Sequence, residues 1–411
     1  MRTLRGTSHR VEVILRHGET VSPLELFFDL VFVLAMTQCT ALMAQDPTWI
    51  GIGGGLVVLG LLWWAWVGYS WLTSMVDPDE GWVRLVLFGA MAALLVTSLC
   101  VPGVFGDLGL IFAVAYTAVR LAHITLFVLA SRDDPGLRRP VTGLAISTTI
   151  GATLLVAGAL VDGNGRLALW AAALLFDMTG PLVIDASTWR LVPGHFAERY
   201  GLIVIVALGE SMLAIGIGSR TGVDGGVIVA AVLGIAIAAT LWWAYFDATG
   251  RAAAHLLTRV DSVPVRNRLA RDGFSYLHLP MVAAVVLFAL GMKKTLAHVG
   301  DPLTWETGTA LVGGAALYLM GNVAFRRRVL GVFNVRRFAT ALLLLAFLPL
   351  AGRVDALLTV AFVATVLAAM IAFETARGHL ATPSLVAHNA ADLPNEGVLE
   401  QAGHPRTGPD E

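Results

Sequence analysis

Glu25 and Asp29 stand four residues apart in Ser22-Pro-Leu-Glu-Leu-Phe-Phe-Asp-Leu-Val-Phe-Val33, an otherwise apolar stretch. At about 100° per residue, that spacing brings both carboxylates to one helix face. Two acids at membrane depth point to binding of a cation or a shared proton, since neither tolerates an unmet charge there. Arg120, Asp177 and Glu210 each fall near the middle of a long apolar segment. One cation and two anions are therefore expected at the bilayer centre, with Arg120 paired to Asp177 or Glu210. His123 lies three residues after Arg120 and shares its face, with Tyr116 four residues before it. His278 is expected at the inner third with Glu25 and Asp29. The segment His195-Phe-Ala-Glu-Arg-Tyr-Gly-Leu202 adds His195, Glu198 and Arg199 at a helix start of about the same depth.

Each of these groups also has a plainer reading. A buried Arg–carboxylate pair can merely fix helix register, Glu198 can be an acid favoured at a helix N-terminus with Arg199 snorkelling to phosphate, and a lone His such as His123 or His278 can be a hydrogen-bonded interior residue. Glu25 with Asp29 is hardest to explain this way, because two acids on one apolar face need a cation, a proton or donors from other helices.

The elements that must position these residues are membrane helices. The chain is 57% hydrophobic and only 14% charged, with a mean hydropathy of +0.75, whereas a soluble domain carries about 25% charge. Twelve segments approach the roughly 20 residues that span lipid: Leu24–Ala44, Ile50–Thr73, Val83–Val101, Leu108–Ala130, Val141–Val161, Arg166–Ile184, Tyr200–Gly218, Val227–Phe246, Phe274–Gly291, Gly308–Phe325, Phe338–Gly352 and Ala356–Phe373. The expected fold is thus all-α and polytopic. No cleavable signal peptide is visible, so the first helix is expected to act as its own insertion signal. With the N-terminus inside, 22 Arg residues fall in inner segments and five cations in outer loops, an asymmetry that places both termini in the cytoplasm. The Arg-rich, Lys-poor composition points to a bacterial cytoplasmic membrane. Cys39 and Cys100 are expected to remain separate thiols.

The two halves echo each other. Leu24-Glu25-Leu26-Phe27-Phe28 opens the first helix and Ala197-Glu198-Arg199-Tyr200-Gly201 the seventh, while Trp63-Trp64-Ala65-Trp66 on the second matches Trp242-Trp243-Ala244-Tyr245 on the eighth. A tandem 6+6 repeat accounts for both, its copies related by an axis along the membrane normal. The chain then divides into a cytoplasmic segment 1–23, a first six-helix half 24–190, a second half 191–375 and a disordered cytoplasmic tail 376–411.

Several motifs together resemble the bacterial low-temperature requirement A (LtrA) family over about residues 20 to 375. They are the Ser22–Val33 segment, Trp71 followed by the acidic Asp77-Pro-Asp-Glu80 loop, His195–Leu202 running into Ala207-Leu-Gly-Glu-Ser211, Trp242-Trp243-Ala-Tyr-Phe-Asp247, and Tyr276-Leu-His-Leu-Pro280. The resemblance implies a polytopic bacterial membrane protein linked by name to growth in the cold, and supplies no substrate. Glu25, Asp29, His195, Glu198, Arg199, Glu210, Asp247 and His278 fall inside these motifs; Arg120, His123 and Asp177 lie outside them. Glu-Leu-Phe-Phe-Asp-Leu-Val-Phe is also faintly similar to the Phe-Ser-Asp signature of a six-plus-six-helix potassium channel family. The serine of that signature is Phe28 here and the second half lacks the motif, so this stays a fold-level analogy.

Twelve helices in two halves with midplane ionisable groups is the architecture of a channel or secondary carrier for a small ion or solute. On that reading Glu25 and Asp29 form the inner cation or proton site, and Glu210, Asp177 and Arg120 the central site. A membrane enzyme or a haem or metal protein would instead use His123, His195 and His278. No two histidines sit at close metal-binding spacing, and no phosphate loop or Ser nucleophile motif is present, so neither an enzyme activity nor a cofactor is expected. A sensor or assembly factor without flux is the third alternative. The expected partners are the lipid bilayer and the solute, with room for a homo-oligomer and no nucleic acid.

Overall fold

A computed structural model of the chain describes residues 16, 19–79, 81–132, 134–183, 189–218 and 224–378; the expected disordered tail lies outside them, apart from its first three residues, which end the last helix. The elements are helices: α1 (Pro23–Gln45), α2 (Trp49–Thr73), α3 (Gly81–Cys100), α4 (Gly109–Ala130), α5 (Pro135–Ala159), α6 (Asn164–Val183), α7 (Pro193–Gly218), α8 (Gly225–Phe246), α9 (Thr249–Arg259), α10 (Val263–Leu269), α11 (His278–Ala297), α12 (Trp305–Gly308), α13 (Gly314–Leu330), α14 (Val335–Ala351) and α15 (Ala356–Gly378). Two stretches wound with i to i+5 bonding, Ala270–Tyr276 and Thr309–Gly313, run into α11 and α13. An isolated β-bridge pairs Pro302 with Asp355.

Local sequence sets the helix ends. Ser22 caps α1 and Glu25 closes the reciprocal capping box, with Pro23 at the first helical position. Thr48, Asp134 and Asp224 accept from first-turn amides of α2, α5 and α8. Gly331, at φ 70°, ends α13, and Asn334 caps α14 through the amides of Arg336 and Arg337.

Each of the twelve expected spans is helical. Ten helical stretches among the described residues are long and apolar enough to cross a membrane by length and composition; α7 and the 17-residue α14 are not among those ten. The surface is inside-out relative to a water-soluble protein. Leu85, Leu121 and Val232 are more than half exposed, while Arg120, Asp177, Arg199 and Glu210 are buried. Lipid rather than water is the solvent that suits such a surface.

The same helix pairs pack in both halves. In the first, α1 packs on α2 and α3, α3 on α4, α4 on α5, α5 on α6, and α2 on α4 and α6; in the second, α7 packs on α8 and α11, α11 on α13, α13 on α14, α14 on α15, and α8 on α13 and α15. Single bonds recur too. Tyr116 on α4 donates to Leu61 O on α2 at 3.0 Å, and Tyr318 on α13 donates to Leu241 O on α8 at 3.1 Å. These recurrences support the duplication but shift its register. Helix α7 opens at Pro193, so its opening matches that of α1 at Pro23, and Glu198 sits in its second turn rather than opposite Glu25.

The halves meet mainly along α1 with α7 and α11. Helices α1 and α7 run parallel in register, because Glu25 meets His195, Asp29 meets Arg199 and Thr40 meets Glu210, all 170 residues apart. Gly291 on α11 permits another close approach: a Cβ there would stand 2.5 Å from Leu311 Cβ. Cys39 and Cys100 are separate, buried thiols.

Candidate functional site

Two buried charge clusters stand out, one on the seam between the halves and one inside the first half. On the seam, Arg199 spans both acids of α1. Its Nη1 donates to Glu25 Oε1 at 2.9 Å and its Nη2 to Asp29 Oδ1 at 3.3 Å. Glu25 also accepts from Arg16 Nη2 at 2.9 Å and from the Ser22 amide at 2.9 Å, and lies 3.0 Å from His195 Nε2 through each oxygen. His195 Nδ1 meets Ser74 Oγ at 2.9 Å, so both ring nitrogens are used. Trp66 Nε1 donates to Asp29 Oδ1 at 2.7 Å, and Thr73 Oγ1 accepts from Arg199. The guanidinium lies 5.6 Å from the Trp66 ring centroid and 5.9 Å from that of Phe28. The two carboxylates therefore face protein cations, and one acceptor atom, Asp29 Oδ2, has no hydrogen-bond partner.

The second cluster is built on α4. Arg120 Nη2 is 2.9 Å from Asp177 Oδ2 and 3.1 Å from Oδ1 on α6, and donates to Thr148 Oγ1 on α5 at 2.8 Å. Its Nη1 donates to Trp64 O on α2 at 3.3 Å. One guanidinium thus ties four helices of the first half. Of the two partners expected for Arg120, the structure gives Asp177. Glu210 is elsewhere, accepting from Thr40 Oγ1 at 2.8 Å, and no hydrogen bond or ion pair joins it to Arg120 among the described residues; the expected three-residue central site is therefore split. The reason is register: the in-register pairing of α1 with α7 turns Glu210 onto α1.

Beside Arg120 lies a partly open cavity walled by Trp64, Trp71, Phe127 and Trp189 and reached by Arg120, His123 and Arg271. His123 is 1% exposed, and neither of its ring nitrogens makes a hydrogen bond of ordinary geometry, the Gly68 backbone being a weak polar neighbour. Its ring sits 4.9 Å from Phe127 and 5.4 Å from Tyr69, centroid to centroid. Gly68 makes room for it: a Cβ there would stand 2.9 Å from His123 Nε2. The Nε of Arg120 is likewise unpartnered. Arg120 also lines a lipid-side groove between α4 and α5, with Thr117, Thr149 and Thr153. The Arg120 side chain thus stands between an inner cavity and an outer groove.

The stretch Ala270–Tyr276 closes the cavity from the second half. Wide helical winding frees groups there to serve other helices. Ser275 O accepts from Trp63 Nε1 at 3.0 Å, and Ser275 Oγ meets Trp71 Nε1 at 2.9 Å and Tyr200 OH at 3.0 Å. Gly273 O is 3.2 Å from His278 Nδ1, whose Nε2 meets Tyr245 OH at 2.8 Å. His278 is therefore fully bonded, and no hydrogen bond or ion pair joins it to Glu25 among the described residues. Glu198 is exposed and accepts from the Val21 amide at 3.1 Å. Asp247 ends α8 as an exposed partner of Arg251, where an ion pair contributes little.

Sequence reasoning missed Arg16, Arg337 and Glu374. Arg337 on α14 meets Glu374 at 2.8 Å, Asn322 Oδ1 at 2.6 Å and Ala244 O at 2.7 Å. Its place just before an apolar run made it look like one of many boundary arginines. Asn322, a lone amide in an apolar segment, was the readable signal.

The comparisons with known proteins come to one family. A protein of Rhizobium meliloti (strain 1021) described as uncharacterized is 33% identical over 340 residues, spanning 79% of this chain and 81% of that protein. The model for the bacterial low temperature requirement A protein matches residues 20–372, which takes in both clusters apart from Arg16 and every described helix but the end of the last. The chain belongs to the bacterial low temperature requirement A (LtrA) family.

Proposed function

We propose that this multi-pass membrane protein moves a small ion or solute across the bacterial cytoplasmic membrane, without enzymatic chemistry, and that its path runs through the first half past Arg120. One observation carries the reading: Arg120 lines both the aromatic cavity and the α4–α5 groove. A buried ion pair between two spaces is the barrier a carrier or channel must open, and polar groups kept unpartnered in lipid are costly unless a solute meets them. His123 is such a group. The seam cluster is read here as scaffold, since Arg199, Arg16 and His195 already occupy the oxygens of Glu25. The histidine-ligand alternative is weaker because His195 and His278 spend both nitrogens on protein groups.

With both termini inside, the cavity mouth at Trp71 and Trp189 faces the cytoplasm. Reporter fusions after Gly163 should read outside and after Gly331 inside; the reverse pair of signals overturns the orientation. Function is tested by uptake into liposomes across a panel of inorganic ions and small organic solutes. Saturable uptake that is lost in Arg120→Leu/Asp177→Leu supports the reading. Equal uptake by empty liposomes for every solute rejects it.

A further inference from the structure

The geometry points to the aromatic cavity as a binding site for an organic anion with a flat apolar body, of the size of a benzoate. This deepens the proposed function and uses the same cavity. Four aromatic rings, Trp64, Trp71, Phe127 and Trp189, make its walls. Trp189 stands edge-on to Trp71 at 6.1 Å and to Phe127 at 5.1 Å, which leaves ring faces available to a planar guest. Such walls offer nothing to the hydration shell of an inorganic ion, whereas apolar and aromatic linings with a few polar groups are what small-molecule sites use.

The polar groups then set the sign of the charge. Arg120, His123 and Arg271 reach the cavity, and among the described residues no carboxylate lines it. Asp177 and Asp272 contact arginines, at 2.9 Å to Arg120 and 2.7 Å to Arg271, and neither reaches the lining. A cationic guest would meet two guanidiniums at the lining, with the acids that pair them, Asp177 and Asp272, set behind. A carboxylate would meet donors, and in a low-dielectric site charge-assisted bonds of this kind are the strong ones. The imidazole of His123, which has the Gly68 backbone as a weak polar neighbour, supplies a further hydrogen bond. Gly68 holds that place open: Gly68→Ala would drive a methyl group against Nε2 and Cε1.

The test is binding rather than flux. Purified full-length protein in detergent is titrated with 4-nitrobenzoate, 4-nitrobenzyl alcohol and 4-nitrobenzylammonium, and tryptophan fluorescence quenching is read. The expected result is saturable quenching by the carboxylate with an apparent Kd at least tenfold below those of the other two. His123→Leu and Gly68→Ala should each weaken it at least tenfold; the second variant keeps the imidazole and so guards against a misfolded first. Equal or tighter binding of the ammonium, linear quenching by all three, or unchanged affinity in both variants overturns the assignment. If the carboxylate binds as expected but never enters liposomes, the transport reading fails while the site stands. If other solutes are carried and no carboxylate binds, transport stands and this site falls.

Discussion

The seam cluster and the cavity cluster contain similar residues and differ in what is left over. On the seam, two acids meet two arginines and the His195 imidazole, and the buried atoms of these five side chains left without a partner are Asp29 Oδ2 and Arg199 Nε. In the cavity, one ion pair is complete and an imidazole beside it is not. Buried charge alone therefore does not mark function. An unspent donor or acceptor next to a space does, because the fold carries its desolvation cost without a structural return.

The second half sharpens the contrast. Arg120 donates to Trp64 O on α2, and Arg337 donates to Ala244 O on α8, the helix that packs as α2 does. The role is filled from α4 in one half and from α14 in the other. Arg337 is met by Glu374, Asn322 and Thr249 as well. The guanidinium of Arg337 has every nitrogen bonded, whereas that of Arg120 leaves Nε without a partner.

The largest expected effect is on the seam. Arg199→Leu would strand Asp29 and leave Glu25 to Arg16 and His195, at a cost of roughly 3–5 kcal/mol for the broken buried pair. The folded yield should collapse in size-exclusion profiles, and adding Glu25→Gln with Asp29→Asn should restore part of it. Normal yield in the single variant would show that the seam charges are not coupled.

Next comes the cavity pair. Arg120→Leu should lower stability by about 3–5 kcal/mol, while Arg120→Leu with Asp177→Leu should recover most of that loss, since no anion is then stranded. A double-mutant cycle read by thermal melting gives the coupling. Uptake should stay lost in both. Restored uptake in the double variant would reduce the pair to a register device like Arg337 with Glu374.

Much of the fold was legible because apolar runs of membrane length have few alternatives, and all twelve segments are helical. Arg120 with Asp177 was legible for the same reason: a midplane cation must find a midplane anion. The α1–α7 pairing was not. Glu25 and His195 are 170 residues apart, and only the parallel register of two helices opening at Pro23 and Pro193 brings them together. The importance of Glu25 and Asp29 could be read, but not the pairing of both with Arg199 and of Glu25 with Arg16. The wide winding at Ala270–Tyr276 leaves no periodic trace in sequence, so the cavity it closes was invisible too.

A smaller effect is expected at Asp29→Asn. The amide keeps an oxygen for Trp66 Nε1 and Arg199 Nη2, so the loss should be about 1–2 kcal/mol, the scale of one charge-assisted bond made neutral. Uptake and its pH profile should be unchanged. Loss of uptake with an unchanged melting temperature would move the transport site back to the seam.

The smallest effect on folding should come from His123→Leu, and it separates the two clusters most cleanly. The imidazole makes no hydrogen bond of ordinary geometry, so an apolar side chain of similar reach removes none and relieves the burial of two polar atoms. The melting temperature should hold or rise slightly, against the marked fall expected for the charged residues of the seam. Uptake should nevertheless be lost, because the group that only a solute can satisfy is gone. A fall in melting temperature as large as that of Asp29→Asn, with uptake intact, would mean that His123 serves the packing of Tyr69 and Phe127, and the distinction between a spent and an unspent cluster would lose its functional meaning.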